Sequence, residues 1–398
     1  MAYSGTSPAT PRAIEAAGAA RPRIHYAWTA AALGAAGLLL FALAGQGWRM
    51  PALLFLGMAL GAVLLLTSFG FTSHYREFLL HRDTAGVRAQ VLMLALATAL
   101  FVPVLAAGSA FGQPLSGAFA PVGVQVIAGA FLFGIGMQLA GGCGSGALFA
   151  AGSGSARMLV VLAFFVAGSF WASLHMSWWE RLPSRGEAAL GDLLGWTEAL
   201  AMQLGALAAI WVWLGRVAPG RAERSSRLDG ASARERALLI GAVLLAVLAF
   251  LVLLVAGHPW SITWAFALWG AKAALQFGWR PDESAFWNGD FQHRALGANL
   301  LEDVTTVMDI GIVVGAAAAA AAAGRFQPRL ELTPASLTAA VIGGLAMGYG
   351  ARIAYGCNIG AFFSGVASTS LHGWVWIVAA LGGNAVGVRL RPWFGLRN

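Results

Sequence analysis

Eleven windows of this chain stay apolar for close to twenty residues each, and that property decides what the chain can become. They lie at 26–44, 51–70, 89–108, 121–140, 158–176, 199–215, 237–256, 260–279, 304–323, 335–351 and 373–390. A helix of about 20 apolar residues crosses the hydrocarbon core of a bilayer. Backbone polar groups in lipid are satisfied only inside helices or closed barrels. Charged residues make up 11% of the chain, against roughly a quarter in soluble domains, and 59% of residues are hydrophobic. A soluble globular domain is therefore excluded, and so is a disordered chain. The net charge of +8 is no nucleic-acid footprint, because it stands on so apolar a background. The expected fold is all-α: a polytopic protein seated in the lipid bilayer. The count is nine to eleven spans, since the shorter and glycine-interrupted windows need not cross.

Charge divides the chain. Residues 1–25 are rich in Pro, Ala and Arg and read as a disordered tail. Arg21 and Arg23 before the first apolar run imitate a signal peptide, but the run is long and a second span follows, so a retained first helix is expected. Residues 216–236 hold six arginines, three acids, three serines and two glycines. This stretch reads as a cytoplasmic linker between a first transmembrane half, 26–215, and a second, 237–398. The loop at 177–198, with four acids and two arginines, fits the opposite side. Arg389, Arg391 and Arg397 ask for the cytoplasm as well, yet five spans after the linker would put them across the membrane from it.

The halves repeat one another at an offset of 214 residues. Gly129, Gly134, Gly136, Gly142, Cys143, Gly146 and Ala147 fall on Gly343, Gly348, Gly350, Gly356, Cys357, Gly360 and Ala361, and Gly168 falls on Gly382. The matched set includes both cysteines of the chain. Small residues on a membrane helix let backbones approach closely. The run Gly141-Gly142-Cys143-Gly144-Ser145-Gly146 is too glycine-rich to continue a regular helix. A span, a break and a short helix together read as a re-entrant element at a transporter site. Each cysteine then stands at the start of a half-helix, where free N–H groups and the positive dipole end favour an anion. A lone cysteine on an apolar segment is usually a small core residue. Paired placement at two helix breaks argues for function instead. Two cysteines make no disulfide framework, and the chain shows no CxxC, haem or zinc spacing, so no cofactor or metal is expected.

Further candidates come from charge at membrane depth. Lys272 lies in the 260–279 window, Arg352 lies five residues before Cys357, and Gln138 is the repeat mate of Arg352. Asp303 and Asp309 flank the start of the 304–323 window, where they would pair with a base or cap a helix. His372 follows the second half-helix. The sixteen tryptophans read mostly as interface anchors.

Several stretches together resemble the YeeE/YedE family of bacterial membrane proteins, also described as a sulfur-transport domain. They are Gly-Gly-Cys-Gly-Ser-Gly at 141–146, Ala351 to Ala361 around Gly356-Cys357-Asn358-Ile359-Gly360, and Phe363-Ser364-Gly365 through Trp376. His258-Pro259-Trp260-Ser261-Ile262-Thr263 with Phe266–Lys272, and Glu302-Asp303-Val304-Thr305, complete the set. The resemblance implies a multi-pass protein of the bacterial inner membrane that takes up thiosulfate. It implies an hourglass of pseudo-symmetric halves, with half-membrane helices meeting near the midplane. By position, Cys143 and Cys357 match the family's repeat cysteines, which are thought to hand thiosulfate along through S–H···S hydrogen bonds. Gly142, Gly144, Gly356, Asn358 and Gly360 surround them, and Arg352, Lys272, Gln138 and His372 complete the expected substrate-binding set. Some members carry a third cysteine nearer the N-terminus; Ser68-Phe69-Gly70-Phe71 has glycine where one would be sought.

Two other functions fit the same residues. One is a membrane sulfurtransferase holding a persulfide on a thiolate activated by a base or a basic residue, for which Arg352 could serve. The other is a subunit of a sulfur-oxidation system. Uptake of a dianion into a negative interior needs a driver, and no nucleotide-binding motif is present. Protons carried by His372, Asp303 or Asp309, or a cytoplasmic sulfurtransferase partner that consumes the anion, would supply it.

Overall fold

The structure, a computed structural model, describes residues 24–218, 231–328 and 333–398. Of the expected tail (1–25) only the last two residues fall within that range, and positions 219–230 of the expected linker lie outside the described residues. The apolar runs all form helices: α1 (Tyr26–Leu43), α2 (Arg49–Leu66), α3 (Phe71–His81), α4 (Ala85–Ala107), α5 (Val124–Ala140), α6 (Gly144–Gly152), α7 (Ala156–Ser173), α8 (Trp196–Val217), α9 (Ala231–Ala256), α10 (Thr263–Gln276), α11 (Val304–Ala322) and α12 (Pro334–Ile353). A π-turn, Asn358–Phe363, then runs into α13 (Ser364–Ala367), and α14 (Leu371–Leu390) closes the bundle. Strand is confined to two short ribbons among the described residues, one pairing Pro121–Gly123 with Ser184–Glu187.

Ten helical segments are long and apolar enough to cross a membrane among the described residues. The window at 260–279 is not one of them. Its helix, α10, has 14 residues, about 21 Å at 1.5 Å per residue, against a hydrocarbon core of about 30 Å. The chain before α10 plunges inward: Trp260 O accepts from Ser364 Oγ at 2.8 Å, and the Ile262 side chain comes up to Gly144 in the protein centre. So 257–276 enters and leaves on one side.

That correction removes the conflict over the C-terminal arginines. Four spans now follow the linker, α9, α11, α12 and α14, and an even number returns the chain to its starting side. Contacts bear this out. Arg391 donates to Gln138 O, Gln138 Nε2 donates to Thr72 O beside α3, and Arg157 bonds Ser336 at the start of α12. Arg234, near the start of α9, pairs with Asp83 at the start of α4 at 3.6 Å, and His25 N–H bonds Ala321 O at the end of α11. The first described residues, both ends of the linker and the C-terminus therefore share one end of the bundle. The 177–198 loop lies at the other, where Ser184–Glu187 pairs with the strand leading into α5.

The repeat becomes a two-fold crossing of α5 and α12. A methyl on Gly129 would stand 2.6 Å from Gly350 O, and one on Gly350 would stand 2.5 Å from Gly129 O. Gly136 and Gly343 face each other in the same way, at 2.8 Å each. Helix α7 packs on α12 as α14 packs on α5. The downstream register needs correction, however. Gly168 sits on Leu345 O, and the glycine in the matching place on Phe131 O is Gly383, not Gly382. The offset has grown to 215. Backbone angles locate the extra residue: positive φ recurs at Gly141 and Tyr355, 214 apart, and again at Gly154 and Thr369, 215 apart. The π-turn lies between these pairs. Such a turn is an α-helix with one residue inserted, and it is common at functional sites.

Candidate functional site

Both cysteines are N-caps. Cys143 precedes α6 with φ −86° and ψ −169°, and Cys357 precedes the π-turn with φ −97° and ψ −164°. The glycines before them make the sharp entry: Gly141 (φ 80°) and Gly356 (φ 154°) hold angles that cost a side chain dearly. Tyr355 adopts φ 60° where the first repeat has Gly141, and the adjoining turn is held by Trp376 Nε1, which donates to Gly356 O at 3.2 Å. Short helices follow because Gly152–Ser155 and Ser368–Ser370 end them after nine and ten residues.

The two caps meet. Cys143 is 1% exposed and Cys357 0%, and both are free thiols. A methyl on Gly144 would stand 3.4 Å from Cys357 Sγ. Cys143 Sγ lies 3.4 Å from Ser145 Oγ, and Ile359 N–H points at Cys357 Sγ at 3.5 Å. The first backbone N–H of α3, at Phe71, lies against Cys143 as well. Three helix N-termini thus converge on the thiols, each with its first-turn N–H donors and a positive dipole end.

Around this centre stand polar groups with no hydrogen-bond partner of good geometry. Asn358, 0% exposed, leaves both its amide oxygen and nitrogen unmet, and the Tyr75 hydroxyl beside it is unmet too. Buried polar atoms are nearly always paired, so an orphan group marks either a cost or a ligand's place.

A cavity of about 430 Å³ opens on the side away from the first described residues and the C-terminus. Arg352, Tyr355, His258, Ser261 and Thr305 line it, with Glu302 and Asp303 on its wall. Ser261 Oγ would meet a methyl on Gly360 at 3.4 Å, which brings the cavity floor to the second half-helix. On the opposite side α5 is sealed: Arg391 donates to Gln138 O, and Arg157 donates to Leu139 O and Ala140 O. Guanidinium groups at a helix C-terminus satisfy orphan carbonyls and complement the dipole.

Paired half-helices at a broken repeat are a transporter's architecture, and the sequence comparison decides which kind. A profile of the Sulphur transport family matches residues 66–386. The chain belongs to that family. Among relatives, the thiosulfate transporter TsuA of Spirochaeta thermophila is 29% identical over 352 residues, which is 83% of this chain and 96% of its own. The thiosulfate transporter TsuA of Escherichia coli is 24% identical over 336 residues, covering 81% and 89%. The probable transporter YedE of Escherichia coli is 34% identical over 143 residues, 36% of this chain and 33% of its own, so that likeness concerns one portion of each.

Within this Sulphur transport protein the expected site residues separate. Gly142 and Gly144 flank Cys143 in the chain, Gly356 and Asn358 flank Cys357, Gly360 lies in the π-turn, and of these Gly144 comes up to the Cys357 thiol. Arg352 is half-buried in the cavity wall, its guanidinium 5.1 Å from the Phe286 ring centroid and its Nε unmet. Lys272 does not join them: its ammonium donates to Leu296 O (2.8 Å) and Ala298 O (2.6 Å) and holds a turn. Gln138 donates to Thr72 O (3.0 Å) and Asn384 Oδ1 (2.7 Å), tying α3 and α14 to α5. His372 lies 2.7 Å from Ser370 Oγ, its ring packed on Gly365 of α13. Asp303 caps α11, accepting from Thr306 N–H (2.7 Å) and Trp264 Nε1 (2.9 Å). Trp260, Trp287 and Trp376 are core residues rather than interface anchors. Sequence reasoning missed Tyr75. The available signal was the polar run Thr72–Glu77 beside an apolar span, too short to cross yet too close to the lipid to be an ordinary loop.

Proposed function

We propose that the protein takes up thiosulfate through the paired thiols of Cys143 and Cys357. The observation that carries this reading is the meeting of two capping cysteines at the heads of facing half-helices, with a third helix N-terminus beside them. Helix N-termini favour an anion, and thiols donate weak hydrogen bonds that an anion can leave. Conduction needs that weakness, since a tight site would hold its ion. Both thiols work in their neutral form, because a thiolate would repel a dianion. The relatives named as thiosulfate transporters supply the substrate.

On this reading, arginine bias turns the end of the bundle that holds the first described residues, both ends of the linker and the C-terminus toward the cytoplasm of a bacterial inner membrane. The cavity beside Arg352 then opens outward, and the guanidinium offers the anion a cationic partner on a wall that also carries Glu302 and Asp303. Asn358 and Tyr75 offer the passing oxyanion the partners they lack. A persulfide enzyme is less well supported, because the groups against the thiols, among them Ser145 Oγ and the N–H groups of Phe71 and Ile359, are hydroxyl and amide rather than a base. The test is labelled-thiosulfate uptake by a sulfur-auxotroph host. Cys143→Ala and Cys357→Ala should each abolish uptake at unchanged membrane expression, with serine a poor substitute. Wild-type uptake by the double alanine variant would overturn the relay.

A further inference from the structure

Asp309 is the one expected proton carrier that the structure leaves unemployed. Asp303 has both oxygens engaged in capping α11 and holding Trp264, and His372 is bound to Ser370 beneath α13. Asp309 is 0% exposed and neither carboxyl oxygen has a hydrogen-bond partner. A bare carboxylate in such a place has nothing to offset its desolvation.

Its position on α11 is informative. Residues four apart share a helix face. One turn before Asp309, Thr305 lines the outward cavity; one turn after, Val313 O packs against Gly152 at the end of α6. The Asp309 carboxyl therefore stands on the face that joins cavity to half-helix, and it lies within electrostatic range of Cys357.

The ionisable groups around it are few. Of the elements packed on α11, α1 brings Tyr26 at its start, α2 brings Arg49 turned onto Trp48, and α6 brings Cys143 at its head. Helix α10 brings Lys272, already held by two carbonyls, and the turn before α11 brings Glu302 and Asp303. Among these, Asp303 is the group that acts on Asp309, and its charge has the same sign. No cation stands by to neutralise an ionised Asp309 among the described residues.

We propose that Asp309 carries one proton inward with each sulfur anion, taking it from the outward cavity and releasing it to the cytoplasmic side. The proposal rests on the transport reading above. The proton rides on a carboxyl oxygen while the anion occupies the thiol centre, so one negative charge of a dianion is offset during passage. An anion at Cys357 favours the neutral acid nearby, and the neutral acid lowers the repulsion the anion meets, so the two bindings assist each other.

The test uses the full-length protein in liposomes, with labelled thiosulfate and the electrical potential clamped at zero. Wild type should accelerate initial uptake several-fold under an inward pH gradient. Asp309→Asn should lose that acceleration while still exchanging labelled for unlabelled thiosulfate across the membrane. An Asp309→Asn protein that responds to the pH gradient like wild type overturns the proposal, and so does a wild type driven by sodium but not by protons. Absence of exchange by wild type would instead sink the transport reading itself. A second measurement needs no substitution: dicyclohexylcarbodiimide, which reacts with proton-bearing carboxyls in apolar surroundings, should form an adduct at Asp309 and abolish the pH response. A protein that shows no adduct there by mass spectrometry contradicts a proton-carrying Asp309.

Discussion

Gly144→Ala separates the path between the thiols from the stability of the fold. The residue is the first of α6, so an alanine there meets no φ penalty and gains helix propensity of up to about 1 kcal/mol. The new methyl would stand 3.4 Å from Cys357 Sγ, 3.6 Å from Ile262 Cγ2 and 3.7 Å from Phe165 Cε1. All three are ordinary contacts, so the empty protein should accept it and melt no lower than wild type. If the anion passes from thiol to thiol as proposed, it meets the methyl directly. Forcing one extra carbon into a filled site costs about 1–3 kcal/mol, which is roughly a 5- to 150-fold loss in binding or rate. The assay pairs a thermal melt in detergent with initial uptake in liposomes. Unchanged melting with uptake cut at least about fivefold is expected. Wild-type uptake by a fully folded Gly144→Ala protein would show that the anion does not pass beside Cys357, and the relay geometry would be wrong.

Gly350→Ala should do the reverse, because its methyl would lie 2.5 Å from Gly129 O, a backbone atom that cannot turn away. Helices α5 and α12 must part, at a cost of about 1–3 kcal/mol read by denaturant unfolding; an unshifted midpoint would refute the close crossing. Tyr75→Phe removes a buried hydroxyl that has no good partner. Stability should change by no more than about 1 kcal/mol, since the one side chain placed to bond the hydroxyl is the poorly aligned Asn358 amide. Thiosulfate uptake should still fall, and a variant matching wild-type uptake would remove Tyr75 from the path.

Hydropathy alone determined that the chain is a helical membrane protein, because a backbone in lipid has no other way to satisfy its polar groups than helix or closed barrel. The repeated glycines and cysteines showed two related halves, each with a broken helix, because only small residues allow such crossings and turns. Depth was not legible. The apolar residues at 260–279 look like any span, and only tertiary contacts of Trp260 and Ile262 show a segment that enters and turns back. Apolarity records what surrounds a helix, and a re-entrant helix buried in protein has surroundings as apolar as lipid. Register was legible to the cysteines and lost beyond them: glycines at both 382 and 383 gave the sequence no means to place a one-residue insertion, whereas backbone contacts with Phe131 and Leu345 did. The fates of the polar residues also belong to the tertiary structure. Lys272, Asp303 and Asp309 are alike as charges near apolar runs, yet two are tied to carbonyls, amides or indole and one is left bare. A side chain's chemistry is written in the sequence, but whether it is occupied depends on which distant backbone atoms the fold brings within 3 Å of it.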